Sequence, residues 1–327
     1  MNRRMRWVGL LAACLALVPF RSPAPLVYTP GEGWTYEPVG GEGKWRRARA
    51  KDQLEVAQAA FEQGDYGTAI KAARHLVRTW PLSDYAPEAQ YLVGRCYEAR
   101  RNDEKAFKEY QKVLEKYPRS QKVNEVLQRQ YAIAMRYLQG QWFKLWGYLP
   151  LFPSMERTAK MFENIVKTGP YSDVGPHAQL RVGAAREKQK HYTEAVKAYE
   201  TAADRYFDRN EIAADAIFRA GMAWYKQART AEYDQSAAGH AIAQLTDFIT
   251  LFPNDPRVAE AQKTITALKA EQARGYFATA RFYEKRKKWN GALVYYNEVV
   301  LADPTSPLAE EARKRIEQLK QRRDTAG

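Results

Sequence analysis

A short junction, Trp80-Pro81-Leu82-Ser83, constrains this chain more than any other stretch, because near copies of it recur. Tyr117-Pro118-Arg119-Ser120, Pro170-Tyr171-Ser172, Phe252-Pro253-Asn254-Asp255 and Asp303-Pro304-Thr305-Ser306 each follow one amphipathic run and precede another. Proline has no amide hydrogen and cannot continue a helix. A Ser or Asp two residues later can accept a hydrogen bond from a backbone N–H where the next helix starts. Asp255-Pro256 and Ser306-Pro307 add proline at a helix start, a position that its fixed φ suits. The junction is therefore a stop-and-restart signal, and a chain punctuated by it is a string of helix pairs.

The spacing of the junctions sets a register. With Pro81 at position 32 of a unit of about 34 residues, Ala57 falls at position 8, Ala60 at 11 and Ala69 at 20. Small residues there permit close helix contact, and this is the tetratricopeptide pattern. The second copy places Gly94, Tyr97, Ala106, Tyr110, Val113 and Pro118 in these roles. The fourth has Gly183, Tyr192, Ala195, Tyr199 and Ala202, with Phe207 where proline is expected. The sixth has Ala280, Tyr283, Trp289, Ala292, Tyr296, Val299 and Pro304. The fifth has Gly221, Trp224, Ala241, Phe248 and Pro253, with about eight extra residues that read as a long loop over 229–240. The third, marked by Ala134, Tyr137 and residues 159–166, is split by an insertion. Val258–Ala270 links the last two pairs. Pro307–Arg323 is a last amphipathic helix with Leu308, Ala312, Ile316 and Leu319 on one face. The expected fold is all-α: a right-handed α-α superhelix, a tetratricopeptide-repeat solenoid over 48–327 with about six helix pairs and a C-terminal capping helix.

Before the repeats come two other segments. Residues 1–24 read as a signal peptide, with Arg3, Arg4 and Arg6 ahead of an apolar run from Trp7 to Phe20 that is short for a membrane span. Leu11-Ala12-Ala13-Cys14 resembles a bacterial lipobox, which makes Cys14 the candidate lipidation site. An ordinary cleaved leader and an uncleaved N-terminal anchor are the other two readings. Residues 25–47 read as a linker rich in Pro, Gly and aromatics, whose composition disfavours regular structure. Its Tyr28, Trp34, Tyr36 and Trp45 are available to pack back on the first helix pair or to touch a partner. Gly43-Lys44 is not a phosphate loop: Pro38 stands where the required glycine belongs and Trp45 replaces the magnesium-binding hydroxyl.

Composition narrows the function. The net charge of +14 raises the question of nucleic acid, anionic lipid or acidic proteins as partners. No nucleic-acid motif is found, and the basic residues read as spread along solvated helix faces rather than clustered. Two cysteines make no disulfide framework. His75, His177, His191 and His240 are far apart and not in a metal-ligand spacing, so neither a metal nor another cofactor is expected. Cys96, beside Gly94 and Tyr97 on a packing face, reads as a buried thiol. There is no phosphate loop and no serine nucleophile elbow, and the repeats leave no room for a catalytic domain, so the chain is not expected to be an enzyme.

Helix-pair solenoids bind along the face of their first helices. In this register the peptide- or partner-binding groove is expected to draw on Leu54, Tyr91, Tyr131, Phe218 and Phe277 at position 5, and on Phe61 and Tyr225 at position 12. The alternative is that these side chains pack against neighbouring helices. The second candidate surface is the insertion 141–153. There Trp142, Phe143, Trp146, Tyr148 and Phe152 make a loop too apolar for an ordinary exposed one, suited to a partner or membrane contact.

From residue 211 the pattern is more specific. Asp234-Gln235-Ser236-Ala237-Ala238 precedes a helix that ends in Leu251-Phe252-Pro253-Asn254. A long helix from Ala259 runs on into Ala280-Arg281-Phe282-Tyr283-Glu284-Lys285-Arg286-Lys287-Lys288-Trp289. This resembles the A-x-Y-Y-x-x-R-G-x-W segment of the BamD (YfiO) family of outer-membrane assembly lipoproteins, with Lys287 standing where that family often has glycine. The resemblance covers most of 50–320. It implies a non-catalytic periplasmic scaffold on the inner leaflet of the outer membrane, tethered through Cys14. The implied partners are the β-barrel assembly subunit, other assembly lipoproteins and unfolded outer-membrane proteins. The alternative function is a periplasmic tetratricopeptide adaptor for cell-envelope or division machinery.

Overall fold

The computed structural model describes residues 26–29, 33–36, 45–145, 149–230 and 235–326. Cys14 and the leader lie outside them. Thirteen helices and two β-hairpins are found among the described residues, divided between a unit ending at Val126 and a unit starting at Leu127.

In the first unit, β1 (Leu26–Thr29) and β2 (Gly33–Tyr36) pair antiparallel, with Leu26 opposite Tyr36 and Tyr28 opposite Trp34. This corrects the expectation of an irregular linker. The β-branched and aromatic residues Val27, Tyr28, Thr29, Trp34 and Thr35 suit a pleated pair, while Pro30 and Gly31 fall between the strands. Then come α1 (Ala50–Glu62), α2 (Tyr66–Thr79), α3 (Ala86–Ala99), α4 (Asp103–Lys116) and the start of α5 (Val123–Leu138). Ala57, Ala69 and Ala73 are fully buried between α1 and α2. Trp45 packs on this core, its ring edge-on to His75 at 5.8 Å, and its carbonyl accepts from Gln53. Of the four aromatics offered by 25–47, Trp45 thus packs back, whereas Tyr28 is exposed.

The second unit continues α5 and adds α6 (Met155–Thr168), α7 (Gly175–Lys188), α8 (Tyr192–Arg205), α9 (Asn210–Thr230), α10 (Gln235–Leu251), α11 (Val258–Lys285), α12 (Trp289–Ala302) and α13 (Pro307–Ala326). The linking helix and the first helix of the sixth pair are one continuous α11 of 28 residues. The loop expected over 229–240 is largely helix. Its alanine-rich sequence extends α9 to 21 residues and α10 to 17, and Ala237 and Ala238 are buried, the latter in a cluster with Leu268 and Trp224. The insertion is also ordered differently from a loop: β3 (Phe143–Leu145) and β4 (Leu149–Phe152) form a hairpin.

The junctions behave as their chemistry requires. Ser83, Asp255 and Ser306 each accept a side-chain hydrogen bond from a backbone N–H at the start of the next helix, from Tyr85, Arg257 and Ala309 respectively. The turn itself is closed by a repeated backbone bond, Ser83 N–H to Trp80 O, Ser120 to Tyr117, Asp255 to Phe252 and Ser306 to Asp303. Exposed apolar residues collect at these ends, among them Leu82, Tyr171 and Phe207. The core lies instead between the helices of each pair, where Phe162, Tyr199 and Phe248 are fully buried. Burial of one such large apolar side chain contributes roughly 1.5–3 kcal/mol.

Candidate functional site

The register places equivalent side chains in equivalent surroundings, so the first helices can be compared position by position. The position-5 residues do not form an open groove. Leu54, Tyr91, Phe218 and Phe277 are buried, and this part of the expected groove is corrected. For Tyr91, Phe218 and Phe277 the cause is the position-24 ring on the second helix. Tyr91 lies 5.8 Å from Tyr110, Phe218 5.2 Å from Phe248 and Phe277 5.4 Å from Tyr296, centroid to centroid. Tyr131, 5.8 Å from Phe162, makes the same contact while staying half-buried. Position 5 therefore points at its own partner helix.

Phe61, Tyr131 and Tyr225 keep part of their surface exposed. The Arg95 guanidinium lies over both Phe61 (5.4 Å) and Tyr91 (5.9 Å) and donates to the Tyr91 hydroxyl, which itself donates to Glu125. Lys122 also lies over Tyr91, at 4.9 Å, and pairs with Glu88. In the second unit Arg181 reaches the Tyr131 hydroxyl, and Arg229 lies over Tyr225 at 5.8 Å. Within each unit, first-helix rings thus carry cations: Phe61 and Tyr91 in the first, Tyr225 in the second.

The hairpin separates the residues of the insertion. Phe143 is buried, stacked on Tyr137 at 4.1 Å with Arg157 over it at 5.3 Å, so it is an anchor and not a contact residue. Trp142 beside it is half exposed. Phe152 pairs with Phe143 across the hairpin through its backbone. Trp146 and Tyr148 lie outside the described residues.

Two recurring polar devices escaped the sequence reading. The first is at position 4: Gln53, Gln90 and Gln179 are buried and each donates to the carbonyl 19 residues on, that of Ala72, Glu109 and Ala198. The second joins position 24 to position 12: Tyr110 donates to Glu98, Tyr199 to Glu187 and Tyr296 to Glu284, at 2.7, 2.7 and 2.6 Å. The signal for both was the reappearance of Gln and Glu at fixed register positions. Around Glu109, burial pulls the carboxyl up, but hydrogen bonds from Lys112, Gln90 and Arg74 prevail and hold it below the ordinary value. Tyr199 is pushed up, by burial first and then by Glu187.

Side chains with chemical potential are otherwise engaged in packing. Cys96 is fully buried, and burial pushes its thiol up to about 11. Among the described residues no cluster of three or more His, Cys, Asp or Glu could hold a metal ion. No described helix is long and apolar enough to cross a membrane. Among the described residues, open clefts are found within each unit. One of about 870 Å³ lies between the Pro81 and Pro118 junctions, lined by Leu82, Glu88, Arg119 and Lys122. Another, of about 540 Å³, lies on α6–α8 around Gln179 and Arg186.

Comparison with known proteins agrees with this geometry. Residues 54–120 match a tetratricopeptide-repeat model. A curated relative, "Outer membrane protein assembly factor BamD" of Caulobacter vibrioides, is 25% identical over 158 residues, 47% of this chain and 50% of that protein. The chain thus spans about half the length of this relative. Among solved structures, a tetratricopeptide repeat protein from Parabacteroides merdae is 10% identical with a TM-score of 0.34, covering 83% of this chain and 98% of that one. The C-terminal part of a repeat protein from Cytophaga hutchinsonii is 13% identical with a TM-score of 0.36, covering 81% and 87%. These two likenesses are too distant to carry an argument. The decisive match is to the family model YfiO, described as outer membrane lipoprotein, which takes in residues 153–325, from just before α6 into α13 and more than half of the chain. The chain belongs to the YfiO family of outer membrane lipoproteins.

Proposed function

We propose that this chain is a non-catalytic scaffold of the machinery that assembles outer-membrane β-barrel proteins, held at the periplasmic face of the outer membrane. The observation that carries the reading is the match of residues 153–325 to the outer membrane lipoprotein family. The Caulobacter relative, named as an assembly factor, supports it. Its partners on this reading are the barrel-forming assembly subunit, other assembly lipoproteins and unfolded segments of outer-membrane proteins. The surfaces offered to them are the cation-capped aromatics Phe61 and Tyr225, Tyr131 with Arg181 at its hydroxyl, and Trp142 beside the β3–β4 hairpin. Acylation of Cys14 would supply the tether.

The test is affinity purification from fractionated cells together with lipid labelling of wild type and Cys14→Ala. Co-purification with a barrel assembly protein, label on the wild type only, and release of Cys14→Ala from the membrane are expected. Recovery of the wild-type chain free of both membrane and barrel partners would overturn the reading.

A further inference from the structure

The turn between α11 and α12 is set apart by its charge. It reads Lys285-Arg286-Lys287-Lys288, the only run of four consecutive basic residues in the chain. The expectation that basic residues are spread rather than clustered fails here. All four side chains are exposed, and none makes an ion pair among the described residues. The nearest acid in sequence, Glu284, is committed to the Tyr296 hydroxyl and to Arg315. The backbone is held rigidly by bonds from the Arg286 and Lys288 amides to the Tyr283 carbonyl and from the Lys287 amide to the Glu284 carbonyl.

Two of these residues stand where folding would choose otherwise. Lys287 has φ of 58°, a left-handed conformation that favours glycine. Lys288 precedes the first residue of α12 with no side-chain cap, and the first turn of α12 holds no acid to offset it. The α3–α4 turn meets the same geometry with Asn102 as a cap and Asp103 and Glu104 behind its arginines. The α7–α8 turn follows Lys190 with Glu194. Beside the α11–α12 cations, Phe282 is 49% exposed on the last turns of α11, and the Arg286 guanidinium stacks on it at 4.1 Å. Trp289 flanks the other end, half-buried.

From this we infer that the α11–α12 turn docks on an anionic phospholipid surface, with Lys285–Lys288 in the headgroup layer and Phe282 at its apolar margin. The inference is independent of the barrel-assembly reading. A lipid surface fits better than an acidic protein segment for three reasons. The cations are mostly lysines on an exposed turn, and neither of the two clefts described above is lined by them. A planar anionic surface asks only for distributed charge and an apolar wedge, which is what the turn offers. The chain belongs to a family of outer membrane lipoproteins, so a membrane is at hand.

The test uses the full chain on a Cys14→Ala background, with a fluorescent probe on Asn290→Cys, an exposed position beside the turn. Buried Cys96 is shielded from the label. Vesicles of phosphatidylcholine alone are compared with vesicles containing one quarter phosphatidylglycerol. A blue shift of the probe is expected only with the anionic vesicles, whatever the leader contributes to binding. The quadruple variant Lys285→Gln, Arg286→Gln, Lys287→Gly, Lys288→Gln should lose the shift. Each Lys or Arg near such a surface contributes about fivefold in affinity, so removing four should raise the midpoint lipid concentration by roughly several hundredfold. Phe282→Ser should keep the charge preference and lose most of the shift. Circular dichroism checks that each variant is folded. A probe that stays solvent-like while the wild type floats with anionic vesicles overturns the inference. So does a soluble polyglutamate peptide that matches the vesicles in affinity and shift, which would assign the turn to an acidic protein.

Discussion

The α7–α8 pair and the α9–α10 pair solve the same packing problem with different chemistry. In α7–α8 a tyrosine at position 24, Tyr199, fills the space left by Gly183 and donates to Glu187 at position 12. In α9–α10 the ring is Phe248, and position 12 is Tyr225. Both partners of the hydrogen bond are absent together. The remaining pairs obey the same rule. Tyr110 occurs with Glu98 and Tyr296 with Glu284, while Ala73 occurs with Phe61 and Phe162 with Leu138. A buried hydroxyl without an acceptor costs its full desolvation, as does a carboxylate without a donor, so either residue alone is worse than both or neither. What α9–α10 loses in the clamp it recovers with Arg257, whose guanidinium lies over Phe218 and Phe248 and pairs with Asp215 and Asp255. The clamps also pass contact along the array, since Glu187 takes Lys226 and Glu284 takes Arg315.

The largest test of this comparison is steric. A Cβ added at Gly183 would stand 2.4 Å from the Tyr199 ring, and the ring belongs to a packed core. Gly183→Ala should cost roughly 3 kcal/mol in urea unfolding, at the upper end of overpacking effects. The sixth pair tolerates Ala280 opposite Tyr296, so Ala280→Gly there should cost only about 1 kcal/mol, the helix-propensity difference. Equal effects at the two sites would show that the glycine is not required by the tyrosine.

Next in size is the clamp itself. Glu187→Leu strands the Tyr199 hydroxyl and should cost about 2 kcal/mol, whereas Tyr199→Phe should cost about 1. The double variant copies the aliphatic-and-Phe combination of α5–α6, and should cost less than the sum by about 1 kcal/mol. Strict additivity would break the argument that the two residues occur as a unit.

The same pairs predict alkaline sensitivity. Burial and Glu187 raise Tyr199, and burial and Glu284 raise Tyr296, so both stay protonated in the folded chain after the unfolded chain has begun to ionise. Their contribution is complete below about pH 10, the ordinary tyrosine value, and is lost as pH rises above it, because the unfolded state then binds fewer protons. Stability should fall by at most about 1.4 kcal/mol per pH unit for each group, and Tyr199→Phe should flatten the slope between about pH 10 and 12. A Phe248→Tyr variant, whose new hydroxyl has no glutamate at position 12, separates the effect of burial from that of the carboxylate. An unchanged slope in Tyr199→Phe would remove the clamp from the titration.

The helix pairs were legible because proline and the small residues at positions 8 and 20 act locally: α2 stops at Thr79, just before Trp80-Pro81, and Ala57 and Ala69 are fully buried. The hairpins were not. Strands of three or four residues give too few alternations to stand out among Pro30, Gly31 and Pro150. The groove reading failed at position 5 because a helical register says which residues share a face, not whether a ring on the next helix covers that face. Tyr110, Phe248 and Tyr296 provide that cover. The loop at 229–240 failed for the opposite reason: an insertion counted against the repeat can lengthen two helices, and Ala237, Ala238 and Ala241 let it do so. Lys285–Lys288 lay in plain view, but a charge run reads as a solvated face until its lack of acidic partners is known.

The smallest predicted effect compares two turns with the same backbone. Lys190 and Lys287 both hold positive φ, 62° and 58°, where Gly64 and Gly140 serve the first and third pairs. Replacing either lysine by glycine removes the clash of Cβ with the backbone while loosening the unfolded chain, and should leave a net gain of about 0.5 kcal/mol. In high salt, where charge repulsion is screened, the two gains in urea unfolding should agree within error. In low salt Lys287→Gly should gain slightly more, because it also relieves repulsion from Arg286 and Lys288. A lysine kept at position 287 against its own stability is then retained for something outside the fold. A loss of stability in Lys287→Gly would instead make the side chain part of the turn, and would leave the basic run with a structural reason to exist.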